Sequence, residues 1–434
     1  MNFTYFWIIT LLVKLAISSL FPLSGDEAYY WVWAQKLQLS YFDHPPMTGW
    51  LFALIPDSIK LLSRWPAVIL GHLTFLIWYR IISRNSAIDW KKWQGLALLS
   101  PLLGLGSIIV TPDLPLLFFW SLSVDYFLRA LNEKDMKYYV LLGLSLGLGF
   151  LSKYPIVLLV PIFLIFLGIE KKWNQVKWKS LVYTFVFGLV CCLPVFIWNY
   201  KNDWISFSFQ WEHGFNQGDW NWRWTADFVL GTILLFFPTL FWGFFKSFKL
   251  KGDDLTFHKI AALVPLAFFT YSSFKGPSEL NWALIAYPHM LYLFFRTNFK
   301  PWQLFAPVGF WVCLYSVVLF GIFFPQGLIH DKLREPFKYR AYSSLPTTYS
   351  PLFTSTYQMA SSLWFISGTP VYKVRGVSRF DHFDLMTENQ IPDRFFYMKE
   401  DYQEWPEALP ESQWEKEEVS KPIPGHAVFV VRKK

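Results

Sequence analysis

Ser24 to Trp50 reads SGDEAYYWVWAQKLQLSYFDHPPMTGW, directly after an apolar segment over 3–23. It carries two adjacent carboxylates, Asp26 and Glu27, then Asp43 with His44, then the stop Pro45-Pro46. Tyr29, Tyr30, Trp31 and Trp33 stand between them. Asp26 to Gln38 opens on carboxylates and holds no breaker, as a helix N-terminus prefers. Pro46 then opens a second short helix, Met47 to Leu54. The aromatic side of the first, with Tyr30, Trp31 and Trp33, suits the membrane interface, where tryptophan and tyrosine collect. Both helices are therefore expected to lie on a membrane rather than cross it.

The rest of the chain supplies the membrane. Of 434 residues, 54% are hydrophobic and only 16% charged, against about 25% charged in a soluble domain. The deficit lies before residue 325, in apolar runs of roughly 15–22 residues, the length that crosses a hydrocarbon core. The expected fold class is an α-helical polytopic membrane protein with about 11 transmembrane helices. The spans run over 3–23, 65–82, 93–110, 114–131, 138–152, 155–169, 180–199, 226–245, 259–274, 282–295 and 302–324. The first lacks a basic n-region and a cleavage site, so it reads as a retained span.

The net charge of +8 sits mostly in short loops between these runs, which argues against a nucleic-acid partner. Cys191, Cys192 and Cys313 lie inside apolar runs with no metal-ligand spacing.

One set of loops before residue 325 holds 17 lysines and arginines and the opposite set 7. The positive-inside rule puts the first set in the cytoplasm, with the N-terminus. The 24–64 loop and the C-terminal segment then face outward. So do Asp113, Lys153-Tyr154, the 199–224 loop with its five tryptophans, and Lys275 to Trp282.

The expected division is a membrane module over 1–324 and a soluble domain over 325–434. The latter reads as a small α/β or α+β domain. Its strands are expected at Val371–Val374, Arg394–Met398 and Ala427–Val431, its helix at Tyr357 to Phe365. Asp401 to Val419, acidic, reads as a solvated helix or loop.

A group transfer at such an outward-facing polar site needs a carboxylate or histidine to deprotonate the acceptor. It also needs cations or a metal for a departing phosphate. Asp26 is the candidate base; its alternative is a helix N-cap. Glu27 is the candidate helper or metal ligand, or a complement to the helix dipole. Asp43 and His44 precede two prolines and are candidates for sugar hydroxyls or phosphate, or else a turn cap. Asp113 is a candidate or a turn residue. Lys153, in a tight turn after an apolar run, needs a partner, and phosphate is a natural one. Lys275 is similar.

The motifs GDEAYYWVWAQ and YFDHPPM, then TPDLPLLFFW, GLSLGLGFLSKYPIVLLVP, LPVFIWNYKNDWISFSFQ and KGPSELNW occur in an order that resembles bacterial GT-C glycosyltransferases. These are relatives of the dolichyl-phosphate-mannose protein mannosyltransferases, among them the aminoarabinose and galacturonic acid transferases of lipid A. The segment YQMASSLWF also looks like these proteins. The resemblance covers residues 1–325 and implies a GT-C-like fold. It implies inverting transfer of a hexosyl or pentosyl group from a polyprenyl-phosphate donor to a lipid, glycan or protein acceptor. The site would lie at the periplasmic face of the bacterial inner membrane.

It also puts catalysis at Asp26 and Glu27, with Lys153 in the family's SKY-like turn. Asp43, His44, Tyr30, Tyr154, Asp113 and Lys275 are the expected substrate contacts. Some relatives hold a divalent metal near the site; the sequence does not decide whether this chain does, and Glu27 is the candidate ligand. The aminoarabinose transferases tend to read Asp-Glu-x-Arg-Tyr. Tyr29 replaces that arginine here, so the donor phosphate needs another cation. The rival reading is a lipid or sugar transporter, for which His72, Asp125 and His289 are the intramembrane candidates.

Overall fold

In the computed structural model, the described residues are 2–84, 88–215, 218–323, 335–339, 342–386 and 390–434. The chain divides into two compact units, Met1–Ser19 with His44–Val317, and Leu20–Asp43 with Val318–Lys434.

The first unit is helical: α1 (Phe3–Leu20), α3 (Met47–Phe52), α4 (Trp65–Ser83), α5 (Trp90–Leu99), α6 (Asp113–Glu133), α7 (Met136–Phe150), α8 (Leu159–Ile169), α9 (Trp178–Lys201) and α10 (Ile205–Phe215). It continues through α11 (Trp222–Phe236), α12 (Pro238–Lys246), α13 (Asp253–Ser272), α14 (Tyr287–Phe295) and α15 (Trp302–Phe323). The intervening α2 (Gly25–Gln35) belongs to the second unit. Among the described residues six helices are long and apolar enough to cross a membrane, or seven if α11 and α12 form one bent span.

Two expected spans are broken, each at a proline. Ser100 is extended ahead of Pro101, so α5 stops at Leu99, and a wide π turn over Pro101–Leu105 followed by a 3-10 turn over Gly106–Ile108 replaces the span to 110. Phe237 takes φ +84° ahead of Pro238, and the axis bends by 88° between α11 and α12. Helices α7 and α9 pack backbone to backbone. A Cβ on Gly143 would lie 2.4 Å from the Thr184 carbonyl oxygen, so only glycine allows this approach. The outer faces of α9 and α15 expose long apolar side chains, as lipid contact requires.

The second unit holds α2, the one-turn helices α16 (Glu335–Lys338) and α17 (Leu345–Thr348), then α18 (Tyr357–Ser367) and α19 (His382–Leu385). Its sheet is β1 (Leu352–Thr354), β2 (Tyr372–Lys373), β3 (Arg394–Glu400), β4 (Trp414–Ile423) and β5 (His426–Lys433). The spatial order is β2-β1-β3-β5-β4. β1 is parallel to both neighbours, while β5 is antiparallel to β3 and β4. Phe353, Val374, Phe395, Tyr397, Leu409 and Val431 form its core.

Three expectations change here. Residues 414–423 are a strand, not a solvated helix or loop. β4 is an edge strand, so its glutamates and lysines face water while only one side pairs with β5. Tyr30, Trp31 and Trp33 are not interfacial. They are at most 8% exposed: α2 packs on α18 with Trp31 against Trp364 and Phe365, while Trp33 stacks on Tyr41 and Tyr30 packs on Trp33. Residues 20–43 belong with the C-terminal sheet, whereas the expected boundary at 324/325 lies outside the described residues.

Candidate functional site

In the second unit, Ser24 caps α2. Its Oγ accepts from the Glu27 N–H at 3.3 Å, and Glu27 Oε2 accepts from the Ser24 N–H at 3.0 Å. This is a reciprocal capping box, so Glu27 has a structural task and is 1% exposed. Asp26 is not the cap. It stands exposed on the first turn, and the Tyr357 hydroxyl donates to its Oδ1 at 2.9 Å. Gly25 allows α2 to meet α18, since a Cβ there would lie 2.7 Å from Gln358 Cβ.

Asp43 gathers the rest. Tyr29 donates its hydroxyl to Oδ2 at 2.5 Å, and the His382 N–H donates to that hydroxyl at 2.6 Å. Arg379 Nη1 donates to Asp43 Oδ1 at 2.8 Å, and the guanidinium lies 4.8 Å from the Tyr357 ring centre. Asp26, Tyr357, Arg379, Asp43 and Tyr29 thus form one connected polar group.

Burial lifts the Asp43 carboxyl above the usual range; Arg379 and Tyr29 pull it back, and Asp26 pushes it further up. Burial works against the Arg379 charge, but Asp43 and Tyr357 outweigh it and hold its pKa up. The Arg379 side chain is 45% exposed, so its guanidinium reaches the surface.

A buried ion cluster supports this group. Lys373 Nζ donates to Asp381 at 2.6 Å, to Asp384 at 2.5 Å and to the Arg379 carbonyl at 2.9 Å. The Arg379 backbone is therefore fixed from below.

In the first unit, Lys153 Nζ donates to both oxygens of Asp113, at 2.9 and 3.0 Å. Asn281 Nδ2 donates to Asp113 Oδ2 at 2.8 Å. The Lys153 and Asp113 side chains are 10% and 4% exposed, so this is a desolvated, bidentate pair. The Met47 N–H donates to the Leu151 carbonyl at 3.0 Å, and the Tyr154 hydroxyl meets Ser206 Oγ at 3.2 Å. HPPM, TPD, SKY, the 199–224 loop and KGPSELNW therefore meet at one end of the helical unit.

The predicted residues separate between the two units. Asp26, Glu27, Tyr30 and Asp43 lie in the second; His44, Asp113, Lys153, Tyr154 and Lys275 lie in the first. Tyr30 packs on Trp33 with ring centres 4.9 Å apart. His44 is half-buried. Lys275 is exposed, and Asn281 is the residue of its stretch that reaches Asp113. Lys153 has a carboxylate for its partner where the sequence pointed to phosphate.

Sequence reasoning missed Arg379, Tyr357 and Asn281. Tyr357 and Asn281 sit inside stretches it quoted, but Arg379 carries no motif and reaches Asp43 only through the fold. Among the described residues no group of three His, Cys, Asp or Glu could hold a metal ion, and the Glu27 carboxylate is engaged in its capping box. The residues present do not fit a divalent cation at Glu27.

Intramembrane ionisable groups are each engaged locally. His72 Nε2 contacts the Trp7 carbonyl at 3.1 Å and His289 Nδ1 contacts His258 Nδ1 at 2.7 Å. Asp125 is held by Arg84 at 2.6 Å and Arg129 at 3.0 Å.

Residues 43–198 match the family model described as dolichyl-phosphate-mannose-protein mannosyltransferase. Over 281 residues the chain is 23% identical to the lipid A galacturonosyltransferase RgtD of Rhizobium johnstonii, covering 60% of this chain and 58% of that protein. Over 183 residues it is 27% identical to the lipopolysaccharide core galacturonosyltransferase RgtA of the same organism, covering 40% and 36%. The chain thus spans less than two thirds of the curated relatives it matches.

Its fold is similar to that of ArnT from Cupriavidus metallidurans in the apo state, with TM-score 0.67, 13% identity, and 98% and 97% of the two chains covered. Against ArnT bound to undecaprenyl phosphate the TM-score is 0.64, with the same identity and coverage. The chain is thus similar to the dolichyl-phosphate-mannose-protein mannosyltransferases over residues 43–198 and to two lipopolysaccharide galacturonosyltransferases over part of its length, and it shares the fold of ArnT.

Proposed function

We propose that this protein is an inverting glycosyltransferase that moves a sugar from a polyprenyl-phosphate donor to a lipid or glycan acceptor at the periplasmic face of the inner membrane. The observation that carries the reading is the pairing of an exposed carboxylate with a half-exposed arginine through one tyrosine: Asp26, Tyr357, Arg379. A base and a phosphate-binding cation are the two groups the reaction needs.

Asp26 takes the proton from the acceptor hydroxyl as the oxygen attacks the anomeric carbon. The bond from that carbon to the phosphate oxygen breaks on the opposite face, and its electron pair leaves with the polyprenyl phosphate. Arg379 stabilises the charge that grows on that phosphate. It is the cation that the replacement of arginine by Tyr29 calls for. Tyr357 orients Asp26, Asp43 orients Arg379, and Glu27 fixes the first turn of α2. Lys153, Asp113, Asn281 and Tyr154 order the end of the helical unit where the HPPM, TPD, SKY and KGPSELNW stretches meet, and His44 and Lys275 are its further substrate contacts.

The names of the two curated relatives make galacturonic acid the first donor sugar to test, and lipid A and the lipopolysaccharide core the first acceptors. Transport finds less support. The break between α11 and α12 falls at Phe237-Pro238, with no ionisable group in it.

The test is mass spectrometry of envelope lipids and glycans from wild-type cells, a deletion strain and an Asp26→Asn strain. One sugar mass lost in both mutants supports the reading. An unchanged profile in the deletion strain overturns it, and a change in the deletion alone moves the base elsewhere.

A further inference from the structure

A second polar cavity, of about 430 Å³, lies at the other end of the helical unit. Its polar lining is Arg84, Asn132, Lys172 and Arg296 with His258 and the two carboxylates Asp253 and Asp254, and Phe166 and other apolar side chains form one wall. Arg84 ends α4, Asn132 sits in the last turn of α6, Lys172 follows α8, Asp254 opens α13 and Arg296 ends α14. Asp113 and Asn132 stand 19 positions apart on α6, roughly 28 Å along its axis. The cavity is therefore separate from the Asp113–Lys153 group.

Its charge is unbalanced. Arg80, Arg84 and Arg129 converge on the one carboxylate of Asp125, at 3.9, 2.6 and 3.0 Å, and that carboxylate is fully buried. Arg129 also faces Glu133, on the surface at 3.8 Å. Lys172 pairs with Asp253 at 2.6 Å, and Arg296 pairs with Asp254, which also accepts from Tyr292 at 2.9 Å. Lys172 and Arg296 thus pair one to one with Asp253 and Asp254, with Glu170 as a further acid beside Asp253, while Arg80, Arg84 and Arg129 face only Asp125 and Glu133. Three guanidinium groups gathered on one buried carboxylate, with Arg80 and Arg84 43% and 39% exposed, leave positive charge at the cavity that a further anion would stabilise.

The cavity also holds a fixed neutral donor. Trp120 Nε1 can only donate, and it lies 3.0 Å from His289 Nε2. A neutral His289 therefore carries its proton on Nδ1 and donates to His258 Nδ1 at 2.7 Å. That leaves the His258 proton on Nε2, on a residue of the cavity wall that is 2% exposed.

We infer that this cavity binds a phosphoryl group, held by Arg84, Lys172 and Arg296 with donors from Asn132 and His258. Arginine recognises phosphate through two parallel N–H donors. Basic recesses between membrane helices hold anionic lipid head groups. The apolar wall beside Phe166 has room for the start of an acyl chain, so a lipid headgroup and free phosphate are the two sources of the same chemistry.

The test uses the full-length protein in detergent, titrated with phosphatidylglycerol, phosphatidylcholine or inorganic phosphate and followed by native mass spectrometry and thermal shift. Phosphatidylglycerol is expected to bind in a discrete step and raise the melting temperature. Arg84→Gln is expected to weaken that step about tenfold, as loss of one charge-assisted pair does. Lys91→Gln, an exposed lysine near the same end but outside the cavity, is expected to leave it unchanged. Lys172→Gln, on a turn, serves if Arg84→Gln does not fold. Competition by inorganic phosphate names the free ion as the ligand; its failure to compete names the lipid. Equal binding of phosphatidylglycerol and phosphatidylcholine overturns the inference, as does an equal effect of Lys91→Gln and the cavity variants.

Discussion

Arg379 donates to Asp43 at 2.8 Å across 336 positions of sequence. The same guanidinium covers the Tyr357 ring, and Tyr357 holds Asp26. One arginine thus ties two carboxylates that differ in kind: Asp26 exposed, Asp43 buried.

If Arg379 meets the donor phosphate, Arg379→Gln lowers transfer about 10²–10³-fold, the size seen when one transition-state donor is lost. Arg379→Lys restores part of it, because an ammonium keeps the charge and loses the fork. Activity is read on the lipid product, with protein level measured in parallel. Transfer within twofold of wild type in the Gln variant would remove Arg379 from the site.

Asp26 and Glu27 are expected to separate. Asp26→Asn keeps the Tyr357 contact and loses the base, so activity falls about 10²–10⁴-fold with the melting temperature unchanged. Glu27→Gln keeps a capping box, so stability and activity both persist. Glu27→Ala removes it and costs about 1 kcal/mol, the typical worth of a cap. Loss of activity in a well-folded Glu27→Gln protein would show that Glu27 acts chemically as well.

Much of this was legible before the fold. The carboxylate pair announces a helix start, and that start is real at Gly25. What the pair does was not legible, because two adjacent carboxylates look alike in sequence. Only the reciprocal bond to Ser24 separates the cap from the exposed acid. The spans were visible wherever an apolar run is uninterrupted, as in α9 and α15. They were overdrawn where Pro101 and Pro238 break the backbone ladder. The aromatic run of α2 was misread for a physical reason: interfacial and buried tryptophans have the same composition, and only α18 decides between them.

Lys153 and Asp113 form a desolvated pair, so Lys153→Met leaves a buried carboxylate without its counter-ion, held only by neutral donors such as Asn281. The cost is about 3–5 kcal/mol. Asp113→Asn with Lys153→Met removes both charges and is expected to recover most of that stability. Transfer activity in the refolded double variant then reports on Lys153 directly. Full activity would make the pair a structural clamp, and lost activity would give Lys153 a contact with substrate as well.

Among the titrating groups of the second unit, neighbouring Asp381 and His382 are expected to contribute opposed pH terms. Burial drops the His382 imidazole to about 3, with Lys36 adding to the effect. An unfolded histidine takes its proton near pH 6.5, so this term is fully present above that value and is lost as pH falls. Burial raises the Asp381 carboxyl to about 6, against the pull of Lys373. Here the folded state holds the proton more tightly than the unfolded chain, so the term favours folding at low pH and is lost as pH rises through about 6. Between roughly pH 4 and 6 the two slopes oppose each other. Wild type is therefore expected to show a shallow pH dependence in that window. Asp381→Asn keeps a capping side chain and leaves the histidine term alone, so its melting temperature falls on acidification. His382→Phe keeps a ring against Tyr41, 5.0 Å away, and leaves the aspartate term, so its melting temperature rises on acidification. Melting curves of the full-length variants at pH 4.5, 5.5 and 6.5 read both slopes. Parallel curves for the two variants would mean that neither group titrates differently on folding.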